Sequence, residues 1–416
     1  MIRHAVIAPT DTVIAPFGDP VAASQVLARS LHAVQVEALE AVGLEVVDAP
    51  PADAPYLLLS DRTWVTEGAL RRFLDTATPP ARLQVTDPTW LEMTLPLQEL
   101  SAPGVYEVAL LPAGAPPRFD APPVAVDMAF EQQTPPVDHP AMAHAVPAAI
   151  AVSDGGVHQI DHWLHVLRVN WLAMSATIAR EKRRFEALNV FVKVWRVLGL
   201  LLRARSLNPY RLGAALTRTG KGCRIHPTAV VEASVLGDGV EIGPFAVVRG
   251  SVLGDNVKVE EHSIVNASVL GDGAVIGRKG TANLCVLYPG AKLALGNGYQ
   301  ACVLGRDSFV AWSVTIFDIS FKGPIKVWHK GERVSSGTWF LGAAIGHRAK
   351  VGAQVTLGYG TELPNDSFLV GPTDHVLRRW EPGEGPHRVV DGVARPVRAC
   401  QPPPKPIGAD DRRTDS

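Results

Sequence analysis

Cysteine is scarce: four in 416 residues. That is too few for the disulfide framework of a secreted scaffold and fits a reducing compartment. No run of about 18 apolar residues occurs, so a spanning helix is not expected. The opening residues, Met1-Ile2-Arg3-His4-Ala5-Val6, run into a strand-like pattern and then meet Asp11, Asp19 and Pro20. They lack the apolar stretch of a signal peptide, and a cytoplasmic setting is expected. Positive charge is not in excess either. There are 40 Lys+Arg against 41 Asp+Glu, a formal net charge of −1, which argues against a nucleic-acid partner. Lysine is absent before Lys182.

Hydrophobic residues, at 47%, suffice for packed cores, and the length suits two to three domains. Residues 1–125 read as an α/β domain. Apolar runs at Ala5–Ala8, Leu44–Val47, Tyr56–Leu59 and Tyr106–Leu111 predict short strands. One long amphipathic helix is expected over about Val21–Val42, and a second helix over Glu67–Leu74. The alternation favours a parallel sheet. Residues 126–158, within a proline-rich stretch that starts at Pro112, read as a linker or wrapped arm.

A helical connector is expected over 159–218. Its first helix carries Ile160, Leu164, Leu167, Trp171, Met174 and Ile178 at spacings of 4 and 3, one apolar stripe. Its second runs from about Arg184 to Arg205, with Phe185, Leu188, Val192, Trp195 and Leu198 on one face, and also carries Lys193, Arg196, Arg203 and Arg205. Packing against a neighbouring helix or the next domain is the expected use. Peripheral contact with a membrane surface is the alternative.

The strongest signal begins near Gly220. Ser-Val-Leu-Gly-Asp occurs at Ser234–Asp238, Ser251–Asp255 and Ser268–Asp272, a step of 17. Two further steps reach Cys285-Val286-Leu287 and Cys302-Val303-Leu304. Later an aliphatic residue followed by Gly recurs every six positions, at Ile345-Gly346, Val351-Gly352 and Leu357-Gly358. Three short strands and three turns then make one triangular coil of about 18 residues, with the aliphatic side chain inside and Gly allowing the turn. Coils stack at about 4.8 Å, and none buries a core alone. Leu236, Leu253, Leu270, Leu287 and Leu304 should form one interior column. Asn266 and Asn283 should form an internal amide ladder, and Cys285 should sit above Cys302 as a second thiol.

The hexad pattern over residues 220–380 resembles the left-handed β-helix of the hexapeptide-repeat transferase superfamily. The stretch Arg224-Ile225-His226-Pro227-Thr228-Ala229-Val230 through Gly277 is similar to the C-terminal domain of sugar-phosphate nucleotidyltransferases. Gly342–Val370, including Ile345-Gly346-His347 and Leu363-Pro364-Asn365, is similar to the closing coils of hexapeptide acetyltransferases. In the N-terminal half, Gln35–Gly43 followed by Leu57-Leu58-Leu59-Ser60-Asp61 resembles the helix and metal-binding strand end of a nucleotidyltransferase, with Asp61 at the metal-binding position. The departures are large. Pro9–Pro20 holds one glycine, Gly18, where that family has a glycine-rich phosphate loop, and the lysines it uses on phosphate are missing. The expected fold class is thus a degenerate α/β N-terminal domain, a helical connector and a C-terminal left-handed parallel β-helix over 219–380. A partly disordered tail is expected over 381–416.

On this fold, as the resemblance implies, a histidine deprotonates a hydroxyl or amine that attacks an acyl thioester in a groove between subunits. His347 and His262 are the candidate bases, and His226 is expected to be structural. The repeat breaks between about Thr315 and Phe340. That excursion carries Asp318, Lys322, Lys326, His329 and Lys330, with Asp307 just before it, as a candidate substrate-binding wall. The three-histidine zinc site known on this fold needs a close pair. His262, His329 and His347 are separated by 329 − 262 = 67 and 347 − 329 = 18 positions, and the pair His139 and His144 lies in the linker, so no metal is expected. Two readings stay open. One is a transferase acting on a sugar or sugar nucleotide with acyl-CoA or an acyl carrier, as a homotrimer. The other is a non-catalytic sugar-nucleotide-binding or assembly protein.

Overall fold

The computed structural model describes residues 2–135, 149–296, 298–371, 376–383 and 386–396. His139 and His144 lie outside the described residues, as does the chain beyond 396. Two compact units are present, residues 1–369 and 370–416.

The first unit begins with a six-stranded sheet. Its order is Pro123–Ala125, Ala81–Gln84, Val105–Leu111, Tyr56–Ser60, His4–Ala8, Glu45–Val46. The strands expected from the apolar runs are all present, but the sheet is mixed rather than parallel. His4–Ala8 runs parallel to both of its neighbours, whereas Val105–Leu111 is antiparallel to Tyr56–Ser60 and to Ala81–Gln84. The helix joining these last strands spans only Pro88–Thr94. At about 10 Å it is too short to carry the chain back along the sheet, so the next strand starts at the end where the last one stopped.

Six α-helices are described: α1, Leu31–Ala41; α2, Glu67–Thr76; α3, Pro88–Thr94; α4, Trp163–Glu186; α5, Val190–Ala204; and α6, Pro209–Ala215. The helix expected from Val21 starts only at Leu31. Ser30 caps it, its hydroxyl accepting from the Ala33 N–H. Upstream, Gln25–Val26 and Arg29–Ser30 pair as a tight hairpin through Leu27 and Ala28, both at positive φ. Tertiary contacts override the helical pattern here. The Leu27 N–H donates to Asn170 Oδ1, and Gln25 Nε2 donates to the Leu287 carbonyl. The connector also breaks later than its periodicity suggests. α4 runs to Glu186, and Asn189 caps α5 by accepting from the Val192 N–H.

From Arg218 to Leu369 the chain winds as a parallel β-solenoid. Two eight-stranded sheets and a five-stranded one form its faces, each strand pairing with its counterpart one coil on. Leu236, Leu253, Leu270, Leu287 and Leu304 lie in one register column and are buried inside. The other repeated letters have their own columns. Each Asp accepts the N–H of the preceding coil: Asp238 from Lys221, Asp255 from Asp238, Asp272 from Asp255, at 2.6–2.8 Å. Ser234, Ser251 and Ser268 accept likewise from the coil that follows. Gly237, Gly254 and Gly271 serve close approach rather than turn conformation: a Cβ at any of them would collide with the next coil. Cys285 and Cys302 continue the serine column as buried free thiols.

The amide ladder exists but is external. Asn266 Nδ2 donates to Asn283 Oδ1 at 2.8 Å, and Asn283 Nδ2 to Gln300 Oε1 at 2.7 Å. In each three-residue strand the middle residue, such as Val265, points inward, so its flanks point outward. Residues 317–341 leave the solenoid after Ile316, and the chain re-enters in register, Leu304 pairing with Ile345 and Ile316 with Leu357. Within the excursion Lys326–His329 and Glu332–Ser335 form a hairpin.

α4 fills the space between sheet and solenoid. The valine of each Ser-Val-Leu points outward. Val235 is 44% exposed, while Val269, Val286 and Val303 are wholly buried and share one core with α4 and the N-terminal domain. Trp171 Nε1 donates to the Leu284 carbonyl and Trp163 Nε1 to Glu362. The buried Arg168 donates to the carbonyls of Thr94, Pro96 and Ser336, joining the N-terminal domain to the excursion.

In the second unit, Arg379–Trp380, His387–Val390 and Val393–Pro396 form a three-stranded sheet, with Trp380 stacked on His387. Part of the expected tail is therefore folded. We expect Leu270→Ala, in the middle of the interior column, to cost about 2–5 kcal/mol through lost burial and a cavity. A fall in the denaturation midpoint of the full-length protein checks this.

Candidate functional site

Parallel strands His4–Ala8 and Tyr56–Ser60 end side by side, and the residues just beyond them build a cleft of about 310 Å³. Ligands in open α/β sheets commonly bind outside such carboxyl ends. One wall is Thr12, Val13 and Ala15. The opposite wall is Trp328, His329 and Lys330 from the solenoid's excursion, and Arg62, Glu99, Asp161 and His162 complete the lining.

Arg62 is held by carboxylates. Its Nε and Nη2 donate to Glu107 and its Nη1 donates to Asp161 at 2.8 Å. Burial would lower its pKa, but the Glu107 hydrogen bond and the Asp161 and Glu107 charges raise it. Burial pushes the Asp161 carboxyl up, against the hydrogen bond from the Glu99 N–H and the charge of Arg62. Burial would raise Glu99 too. There the hydrogen bond and charge of Lys330, with His329 and Arg62 behind them, outweigh it and hold the carboxyl below its ordinary value. Lys330 Nζ lies 2.6 Å and His329 Nε2 3.1 Å from Glu99 Oε1. His162 caps α4 through Nδ1, which accepts from the Leu164 N–H, so its Nε2–H donates to the Trp328 carbonyl. The cleft thus offers carboxylate acceptors, cationic donors and an exposed indole, a set that suits a polyhydroxylated anion.

Of the residues expected in the substrate-binding wall, His329 and Lys330 lie in this cleft. Lys322 and Lys326 are exposed on the excursion, Asp307 is exposed at a solenoid corner, and Asp318 is half-buried with its carboxyl raised by burial. Asp61 stands at the strand end, but its carboxylate accepts from Thr10 Oγ1 at 2.7 Å. Within the Pro9–Pro20 segment, Val13–Ile14 pairs with Asp19–Pro20 as a closed hairpin. Among the described residues, no group of three His, Cys, Asp or Glu side chains is placed to hold a metal ion.

The two candidate bases differ in setting. His347 is buried, and both of its ring nitrogens are occupied. Nδ1 accepts from the Arg306 N–H at 2.7 Å, so Nε2–H donates to Asp19 Oδ2 at 2.9 Å. Arg306 closes the triangle by donating to Asp19 Oδ1, and Phe17 and Tyr288 flank the imidazole. Burial lowers the His347 pKa despite Asp19. This imidazole fastens the N-terminal hairpin to the solenoid. His262 is exposed at a corner with φ +59° and stacks on Phe245. It adjoins a groove of about 570 Å³ lined by Arg224, His226, Glu241, Lys258, Glu260 and Glu261, among others.

Thr12, Arg62, Glu99, Asp161 and His162 were not singled out by motif. Glu99 meets Lys330 across 231 positions of chain, a pairing no local pattern encodes. The cluster His158, Asp161, His162 and His165 at the start of α4 was the available signal. The chain matches no protein-family model and no curated protein.

Burial holds His158 and His165 well below the ordinary histidine pKa, and His347 below it. Each binds fewer protons folded than unfolded. Their contribution is complete above about pH 6.5 and is lost as the pH falls below it, at up to about 1.4 kcal/mol per histidine per pH unit. We expect the melting temperature to drop between about pH 7.5 and 5, measured by calorimetry. A flat profile would contradict the neutral buried histidines.

Proposed function

We propose that the chain binds a phosphorylated monosaccharide, or the sugar-phosphate end of a sugar nucleotide, in the cleft between the N-terminal strand ends and the 326–335 hairpin. The observation that carries this reading is the convergence of Arg62 and Lys330 with Glu99 and Asp161 in one concave site of about 310 Å³. That volume is at the small end for ligand pockets and suits one sugar ring with its phosphate. Cationic donors meet the phosphate, Glu99 and Asp161 accept from ring hydroxyls, and Trp328 offers an apolar face. Lys330 already pairs with Glu99 and is poised to exchange that partner for phosphate.

In this reading the domain binds without transferring nucleotides. Its phosphate-loop equivalent is a closed hairpin, and Asp61 is engaged by Thr10. The solenoid acts as the scaffold that delivers one wall of the site.

One observation favours a second reading, acyl transfer onto a sugar. His262 is exposed beside a charged surface groove. A homotrimer packing solenoid faces together would enclose this groove and seat acyl-CoA or an acyl carrier. His262, not the enclosed His347, is then the base. Acyl-CoA turnover that disappears in His262→Ala would establish this second reading over simple binding.

The binding reading is tested by calorimetric titration with glucose 1-phosphate and with nucleoside-diphosphate sugars. We expect saturable binding to the wild-type protein and at least roughly tenfold weaker binding in Lys330→Ala, consistent with loss of one charge-assisted hydrogen bond. Equal affinity in both proteins would move the ligand out of this cleft.

A further inference from the structure

We propose that α5 is an interfacial helix that docks the protein onto an anionic lipid bilayer. Its sequence is Val-Phe-Val-Lys-Val-Trp-Arg-Val-Leu-Gly-Leu-Leu-Leu-Arg-Ala. At about 100° per residue, Phe191, Val194, Trp195, Leu198, Leu201 and Leu202 fall on one face, and Lys193, Arg196 and Arg203 fall opposite. The sequence alone favours burial of such a face against the chain's own neighbours, and the fold does not provide it. Phe191 is 81% exposed, Trp195 71% and Leu202 67%. α5's chief neighbour is α6, which itself exposes Tyr210 and leaves the apolar face of α5 uncovered.

Charge selects the occupant. From residue 187 to 231 the chain has no Asp or Glu, while Lys193, Arg196, Arg203, Arg205, Arg211 and Arg218 fall within that span. The basic residues at the end of α4 behave differently: Lys182 pairs with Glu131, Arg183 with Asp154 and Arg184 with Glu67. Among the described residues no ion pair engages Lys193, Arg196, Arg203 or Arg205. A second copy of this chain would bring the same positive strip against it. An anionic headgroup layer complements both faces at once, accepting the aromatic and aliphatic side chains below and the Lys and Arg side chains at its surface.

Length selects the mode. Fifteen residues extend about 22 Å, short of the ~30 Å hydrocarbon core. Among the described residues no helix is long and apolar enough to cross a membrane. α5 therefore lies in the interface plane.

The test is co-sedimentation of the full-length protein with phosphatidylcholine vesicles and with vesicles that also contain phosphatidylglycerol. We expect roughly tenfold tighter association with the anionic vesicles, weakened by high salt. Phe191→Asp/Trp195→Asp should abolish it. Lys193→Glu/Arg196→Glu/Arg203→Glu should reduce it to the level of neutral vesicles, with circular dichroism and melting temperature unchanged in both variants. Wild-type protein that sediments no better with anionic than with neutral vesicles overturns the proposal. So does a wild-type oligomer that Phe191→Asp/Trp195→Asp dissociates without any lipid effect, because a second copy then covers the face.

Discussion

Everything in the first unit depends on a coil that closes in 17 residues and cannot be stable alone. Each coil has an apolar interior one side chain deep and two raw edges. The next coil completes both, through the leucine column inside and the strand ladders around it. The Asp, Ser and Gly columns follow from the same stacking: two hydrogen-bond to the adjacent coil, and the third leaves room for it. Register also fixes what lies outside. Because Leu points in, the preceding Val points out, and three successive outward valines give α4 an apolar strip. The N-terminal sheet reaches the solenoid through that helix.

The histidines divide by environment rather than by sequence context. His158 and His165 are struts in the core around α4, and His347 is a clasp tied to Asp19 and Arg306. A base must accept a proton from the substrate and later release it. A ring enclosed by Phe17 and Tyr288 with both nitrogens bonded serves attachment instead. His162, with both nitrogens bonded, also serves attachment, whereas His329 faces a concave site along with Glu99 and Lys330. The rigid coils hold the base of the excursion, and its hairpin becomes the far wall of a cleft whose near wall belongs to another domain.

The solenoid was legible because its order is local and repeated: a 17-residue step states which residues are neighbours. Strands of the first domain were legible from apolar runs for a similar reason. Strand direction was not, since it rests on how far α3 can carry the chain. The ladder of Asn266 and Asn283 was read at the right spacing but on the wrong side, because period alone does not say which way a residue points. The Val21–Val42 pattern looks helical, yet residues 21–30 form a 3-10 turn and then a hairpin fixed by Asn170 and Leu287, far along the chain. The cleft was the least legible part. His329 and Lys330 are legible through the broken repeat, whereas Arg62, Glu99 and Asp161 meet only once two domains are packed together. The exposed face of α5 was visible as an amphipathic pattern, but its lack of a covering neighbour is a property of the fold.

The central claim is that the ligand site lies between the two domains and not on the solenoid alone. Hydrogen–deuterium exchange of the full-length protein, with and without glucose 1-phosphate or a nucleoside-diphosphate sugar, tests it most directly. Added ligand should slow exchange in two separated segments together, residues 10–15 and 326–335, and leave the corner at 243–262 unchanged. Protection confined to 224–262, with the cleft segments unaffected, would contradict the account and place the ligand in the solenoid groove beside His262.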